Sequence, residues 1–265
     1  MPELPDVEVF RKYMDSTALH QEIEDVELRE AKRILKETTQ QDLKDQLIGR
    51  EFSTTRRHGK HLFAGLTDGI WLMMHFGMTG FLKYFENQEE APDHIRALYK
   101  FTNGYNLAYD CQRKLGQLKL VESPEKFAEE NNLGPDVLSD EFDFDKFLER
   151  LESSRAMIKS ALMNQKLMAG IGNIYSDEIL FKAGVHPKAK AKDISEKVLR
   201  EIYSAIHEVL REAIDSEVEP ERMPSHFLLP NREEGGECPQ CGGEIEKIKV
   251  SGRSSYVCPG CQQKP

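Results

Sequence analysis

Between residues 24 and 120 the apolar positions either alternate with polar ones or gather into short runs: HLFAGL, IWLMMHF, FLKYF, ALYKF, YNLAY and GQLKLV. Runs of that length and make-up predict strands. Asn103-Gly104, between ALYKF and YNLAY, predicts a tight hairpin. Ahead of the strands, residues 4–18 predict a helix. Pro5 suits a first helical turn, and Val9, Phe10, Tyr13 and Met14 recur at helical spacing.

From about residue 143 the period changes. Phe144, Phe147, Leu148 and Leu151 form one helical face, and Met157, Ile158, Ala161 and Leu162 a second. A third helix is expected after Gly172. A fourth is expected from Asp193, with Glu196 as capping-box partner and Val198, Ile202, Ala205, Ile206, Val209 and Leu210 facing inward. Residues 122–142 read as an acidic loop punctuated by Gly134-Pro135. Residues 215–237, with Pro220, Pro224, Pro230 and Gly235-Gly236, read as a polar linker. There is no internal repeat. The order of elements is that of an α+β multidomain chain: a helix with an antiparallel β-sandwich, a helical domain, and a short C-terminal module.

At 265 residues and 39% hydrophobic content the chain can bury a substantial core. No apolar run can cross a bilayer and the N-terminus has no signal-peptide pattern, so a cytoplasmic protein without membrane contact is expected. The net charge of −10 argues against a nucleic-acid partner only until it is mapped. Residues 122–152 hold eleven acids and three bases, a net of −8, while residues 153–192 carry seven bases against two acids, a net of +5. The stretch 56–61 reads RRHGKH. Local patches rather than the total set affinity for phosphate, so an acidic segment remote from a polyanion is compatible with binding it.

Four of the five cysteines lie in the last 28 residues. Cys238-Pro-Gln-Cys241 and Cys258-Pro-Gly-Cys261 are two knuckles with sixteen residues between them. In a cytosolic chain that spacing predicts one tetrahedral zinc ion, with two disulfides or free thiols as the alternatives. Four protein ligands leave no open position, so the ion is structural. KIKV and SSYV between the knuckles predict a hairpin with Arg253 at its tip, where an arginine can equally be a solvated charge. Cys111 stands apart.

The other chemical signal is the N-terminus. Removal of Met1 leaves Pro2 as a secondary amine, with an α-amino pKa of about 8. Condensed with an aldehyde, it gives an iminium that cannot be neutralised by losing a proton, an electron sink for eliminating a phosphate β to a sugar C1′. Glu3 could protonate the sugar ring oxygen. Many proteins begin Met-Pro without such chemistry, and with Met1 in place it is blocked.

Read in order, MPELPDVE (1–8), Gly59-Lys60 opening a strand, HFGMTG (75–80), DCQRKLG (110–116), Lys159 with GIGNIYSDEI (170–179) and the four-cysteine hairpin resemble the formamidopyrimidine-DNA glycosylase/endonuclease VIII (Fpg/Nei) family across essentially the whole chain. The resemblance implies a β-sandwich domain over 1–130, a helix–two-turn–helix domain over 131–225 and a zinc hairpin over 226–265. Damaged double-stranded DNA would lie in the cleft between the two main domains, bound by a monomer. The implied activity is that of a DNA glycosylase with abasic-site lyase activity in base excision repair, with one structural zinc ion and no catalytic metal.

The resemblance also implies residue roles. Pro2 would be the Schiff-base nucleophile, Glu3 the acid/base and Lys60 a phosphate contact that assists catalysis. Lys159, Asn173 and Arg253 would grip the backbone. For GIGN, a glycine-rich approach to a helix N-terminus makes physical sense as a phosphate clamp, although alone it is also a plain turn. His75 would contact phosphate or be a buried structural histidine. Base removal requires extrusion of the nucleotide. Met78, Arg113 and Leu115 would fill the gap and hold the orphaned partner, against a reading of Met78 and Leu115 as core. Asp6 replaces the family's commoner Glu, Leu115 stands where Fpg members usually have Phe, and Cys111-Gln112 lengthens that loop by one residue. Residues 215–237 form a shorter stretch than the one that caps 8-oxoguanine in typical Fpg enzymes, which opens a Nei-like preference for oxidised pyrimidines or ring-opened purines. Two rivals remain: a non-catalytic binder of damaged or branched DNA, and a zinc-ribbon protein acting on RNA.

Overall fold

The computed structural model describes residues 1–152 and 154–262. The chain divides into two compact units, Met1–Pro2 with Asp6–Asn131, and Glu3–Pro5 with Asn132–Pro265. The second unit therefore takes three residues from the extreme N-terminus.

In the first unit the predicted strands form within a residue or two of the expected positions. After α1 (Leu4–Thr17) come β1 (Ile23–Leu28), α2 (Gln40–Leu47), β2 (Phe52–His58), β3 (His61–Leu66), β4 (Trp71–His75), β5 (Gly80–Phe85), β6 (Ile95–Phe101), β7 (Asn106–Cys111), β8 (Gln117–Val121) and α3 (Pro124–Glu130). Two four-stranded antiparallel sheets result, ordered β1-β6-β7-β5 and β2-β3-β4-β8. Their inner faces share one core. Val26, Tyr99, Leu107 and Tyr109 of the first sheet meet Phe52, Leu62, Leu72, Met74 and Leu118 of the second, and Val7 and Met14 of α1 join them. Each fully buried aliphatic or aromatic side chain of this kind contributes roughly 1.5–3 kcal/mol. Tyr13 ties α1 to the exposed edge of β5 by accepting Tyr84 N–H at 2.8 Å on its hydroxyl.

Two helices depart from the sequence reading. In α2, the side chain of Thr39 accepts Asp42 N–H and Asp42 accepts Thr39 N–H, a reciprocal cap. Leu43 and Leu47 supply its buried face. The acidic segment that read as loop contains α3, started by Ser123 as N-cap and Pro124 in the first turn, with Phe127 buried against Phe63 and His61.

The second unit holds α4 (Phe144–Glu152), α5 (Ile158–Leu162), α6 (Asn173–Lys182) and α7 (Glu196–Asp215), followed by the hairpin β9 (Glu246–Val250) and β10 (Arg253–Val257). The apolar stripe of α7 (Leu199, Ile202, Ala205, Ile206, Val209, Leu210) packs with Phe147, Leu162, Ile171, Ile179 and Leu4. Its N-cap is Ser195, which accepts Val198 N–H, and not Asp193 as its spacing to Glu196 suggested. Nor is the segment after α7 a plain polar linker: Met223, Phe227 and Leu228 are buried. Among the described residues no helix is long and apolar enough to cross a membrane.

Candidate active site

Glu3 lies in the second unit and is fully buried. It is held at the start of α6, where Oε1 accepts Ile174 N–H at 2.9 Å and Oε2 accepts Tyr175 N–H at 3.2 Å. These are amides of the first turn, which have no partner within the helix. Leu4 N–H donates to Gly170 O at 3.2 Å, continuing the attachment. Gly172 lies directly against the carboxylate: a Cβ there would stand 2.1 Å from Glu3 Cδ. Gly172 of GIGN thus makes room for this carboxylate, and Gly170, at φ 125°, for the side chain of Leu4. Pro2, the residue before it, is partly exposed.

Asn173 is the first residue of α6, and its Oδ1 is buried with no hydrogen-bond partner among the described residues. Lys159 is 1% exposed, and its ammonium points inward. Nζ donates to Asp177 Oδ1 at 2.6 Å, Asn173 O at 3.3 Å and Ser254 O at 3.4 Å. All three of its protons have acceptors, so this geometry corrects the expected direct DNA contact. The side chain instead joins the backbone of Asn173 to that of the residue after Arg253. Burial pulls the Lys159 ammonium below the ordinary lysine value, against the opposing attraction of Asp177. Asp177 is the hub. Ser255 Oγ also donates to Oδ1, while Oδ2 accepts Tyr256 N–H at 3.3 Å and Arg232 at 2.6 Å and 3.1 Å. Arg253 is exposed at the mouth of the β9–β10 turn, after Ser251 and Gly252 with φ of 47° and 81°.

The neighbouring Glu178 is buried, accepting Leu228 N–H at 2.9 Å and Leu229 N–H at 2.8 Å. Burial pushes its carboxyl up to about 7, against the pull of those two amides. A carboxyl raised in the fold binds a proton that the unfolded chain has already lost above its ordinary pKa, 4.5 here. Stability attributable to Glu178 is therefore fully present below pH 4.5 and is lost as pH rises from there through about 7, by up to about 1.4 kcal/mol per unit. Glu178→Gln should lose this slope. Urea unfolding of both proteins from pH 5 to 8 checks it; parallel pH profiles would refute the assignment.

The four cysteine sulfurs lie within 4.8 Å of one another, with Cys238 and Cys261 3.8 Å apart and Cys241 and Cys258 3.5 Å apart. A tetrahedral ion with Zn–S bonds of about 2.3 Å sets its sulfurs about 3.8 Å apart, so the residues fit zinc. The hairpin also packs against the helical domain. Cys238, Ile245 and Cys258 share a small core with Phe181 and Leu228, and Gln262 Nε2 donates to Val185 O at 2.9 Å.

In the first unit, Lys60 sits on the turn between β2 and β3. Burial and the Lys60 charge lower His75 to about 4; burial, His75 and nearby charges lower His61 to about 3. His75 is neutral, its Nδ1 accepting Gly77 N–H at 3.3 Å and its ring 5.1 Å from His61. Any phosphate contact by His75 is that of a neutral N–H donor. Met78 (39% exposed), Leu115 (50% exposed) and Arg113 are at the surface, which excludes the core alternative for the two apolar side chains. The loops that carry them abut. Gly77, at φ 61°, approaches so closely that a Cβ would stand 2.5 Å from Leu115 C, and Arg113 N–H donates to Thr79 Oγ1 at 3.2 Å.

Asp177, Glu178, Arg232 and Thr79 were not singled out in the sequence. A signal existed for the first two: adjacent carboxylates running directly into the apolar Ile179-Leu180-Phe181 must be satisfied by partners if buried.

Comparison with known proteins covers the same ground. Residues 1–118 match the formamidopyrimidine-DNA glycosylase N-terminal domain, 133–223 its H2TH domain and 235–264 the zinc finger found in FPG and IleRS. The chain is 34% identical to the formamidopyrimidine-DNA glycosylase of Bacillus subtilis (strain 168), with 100% of each chain covered. It is 32% identical to that of Desulfitobacterium hafniense (strain DCB-2), with 99% and 100% covered. The structure of the Lactococcus lactis enzyme bound non-covalently to DNA containing an AP site superposes with a TM-score of 0.90 at 31% identity, covering 99% of this chain and 100% of that one. A MutM complex with DNA containing carbocyclic 8-oxo-G gives 0.89 at 32% identity, with the same coverage. The chain belongs to the formamidopyrimidine-DNA glycosylase family, and its four clustered cysteines are that family's zinc site.

Proposed function

We propose that this DNA glycosylase of base excision repair removes oxidised bases through Pro2 and then cleaves the strand at the abasic site. The observation that carries the reading is the fixed position of Glu3, both carboxylate oxygens held by α6 amides, one residue from the N-terminal amine. With Met1 removed, the Pro2 nitrogen attacks C1′, the C1′–N bond to the base breaks, and the base departs with the proton that the Pro2 amine gives up. Glu3 delivers a proton to the ring oxygen and opens the sugar, leaving an iminium between Pro2 and C1′. That cation draws electrons from C2′ after loss of a proton there, so the 3′ phosphate leaves by β-elimination. A second elimination expels the 5′ phosphate, and water then hydrolyses the iminium to free Pro2. Lys60 and Asn173 contact the phosphates beside the lesion, and Arg253 grips the backbone from the zinc hairpin. Lys159 serves this grip by ordering Asn173 and the strand after Arg253. Met78, Leu115 and Arg113 enter the space vacated by the extruded nucleotide, Arg113 reading the partner base. The exposure of Met78 and Leu115 together, on loops that abut, supports that role.

The test is incubation with abasic-site duplex and borohydride, which reduces an iminium to a stable amine, followed by mapping of the adduct. A cross-link at Pro2 is expected. No adduct in protein whose N-terminus is verified as free proline would remove the lyase mechanism. The substrate is double-stranded DNA, acted on by a monomer in the cytoplasm. The lesion panel to follow spans 8-oxoguanine, formamidopyrimidines and oxidised pyrimidines.

A further inference from the structure

The loop bearing Arg113 and Leu115 is anchored by groups with no part in the chemistry above. Arg96 of β6 is 7% exposed; its Nε donates to Cys111 O at 3.0 Å and its Nη1 to Glu30 Oε2 at 2.8 Å. The ammonium of Lys114 bonds to the same Glu30 oxygen, and Lys114 N–H donates to Cys111 O at 3.2 Å. The circuit is closed: one carbonyl at the start of the loop is held by a buried guanidinium, and that guanidinium is tied through Glu30 to a side chain further along the loop. The backbone is bent to allow it. Glu30 and Lys114 take φ of 47° and 53°, a left-handed conformation uncommon for either residue type.

Resting on the reading that Arg113 and Leu115 enter the duplex, we propose that Glu30 is a positioning residue for base extrusion, setting through Arg96 and Lys114 the loop that presents them. The Glu30 side chain is largely exposed, and exposed ion pairs add little to stability. Its effect therefore falls on where the loop stands, and displacement of a reacting constellation by about 1 Å can cost a hundredfold in rate. Only substrates whose base must still be expelled should feel it.

Glu30→Gln and, from the loop side, Lys114→Met should each slow single-turnover excision of a methyl-formamidopyrimidine paired with cytosine by roughly ten- to a hundredfold. Cleavage of the same duplex with a preformed abasic site should stay within about twofold of the parent. Glu30→Asp, which keeps the charge, should recover part of the loss. Equal losses on both duplexes would make Glu30 merely structural and overturn the proposal, as would unchanged rates on both. A parent protein inactive on the abasic duplex would instead overturn the enzymatic reading and this proposal with it.

Discussion

Gly172→Ala should reduce base excision by at least about a hundredfold while leaving the protein folded. The backbone of Gly172 is extended, at φ −122° and ψ −157°, a conformation alanine adopts freely, so the substitution acts through space alone. The added methyl would meet Glu3 at 2.1 Å from Cδ and at 2.3 and 2.5 Å from its oxygens. Contacts below 3.0 Å force something to move. The helix start is braced by its own hydrogen bonds and by Leu4 N–H on Gly170 O, so the carboxylate yields and loses its two amides. Single-turnover excision, with lesion-duplex affinity and thermal melting measured in parallel, checks this. A rate within about fivefold of the parent would show that the held position of Glu3 is not needed.

Removal of zinc should weaken binding to abasic duplex by a hundredfold or more and leave the first unit folded. Structural zinc supplies on the order of 10 kcal/mol to modules of this kind. Strands of five residues and a core of a few side chains cannot replace it. Loss of the hairpin would remove Arg253 from the proposed phosphate grip. It also strips Asp177 of Ser255 and Tyr256, leaving a buried acid with Lys159 and Arg232 alone. The salt dependence of binding should become shallower as phosphate contacts are lost. Fluorescence anisotropy of chelated protein, with zinc loss verified and far-UV circular dichroism recorded, is the measurement. Binding within about threefold of the parent would refute the clamp role of Arg253. Cys258→Ser should reproduce the defect without chelator.

The parts legible in the sequence are those written in local patterns. β3, β4 and β7 follow from short apolar runs, α7 from its stripe, and the zinc site from two knuckles, because each depends on neighbours a few positions away. α2 and α3 were passed over, although Thr39-x-x-Asp42 and Ser123-Pro124 mark their starts. Each carries only two or three buried residues, too few for a periodic signal. Phe227 and Leu228 were lost among prolines and glycines. The inward turn of Lys159 could not be read at all. It depends on Asp177, Asn173 and Ser254, brought together only by folding, and a lysine in a basic stretch otherwise looks like a phosphate contact. The same holds for Glu30 and Arg96, 66 positions apart.

Glu3 and the amides that hold it are 171 and 172 positions apart. A chain leaving the ribosome therefore displays the proposed nucleophile and acid first and acquires the means to aim them last. A fragment ending anywhere between residues 60 and 170, from a broken message or a protease cut, would keep Pro2, Glu3 and Lys60 and still be no glycosylase. For an enzyme whose products are gaps in the genome, this long-range closure makes completeness of the polypeptide a condition of cutting.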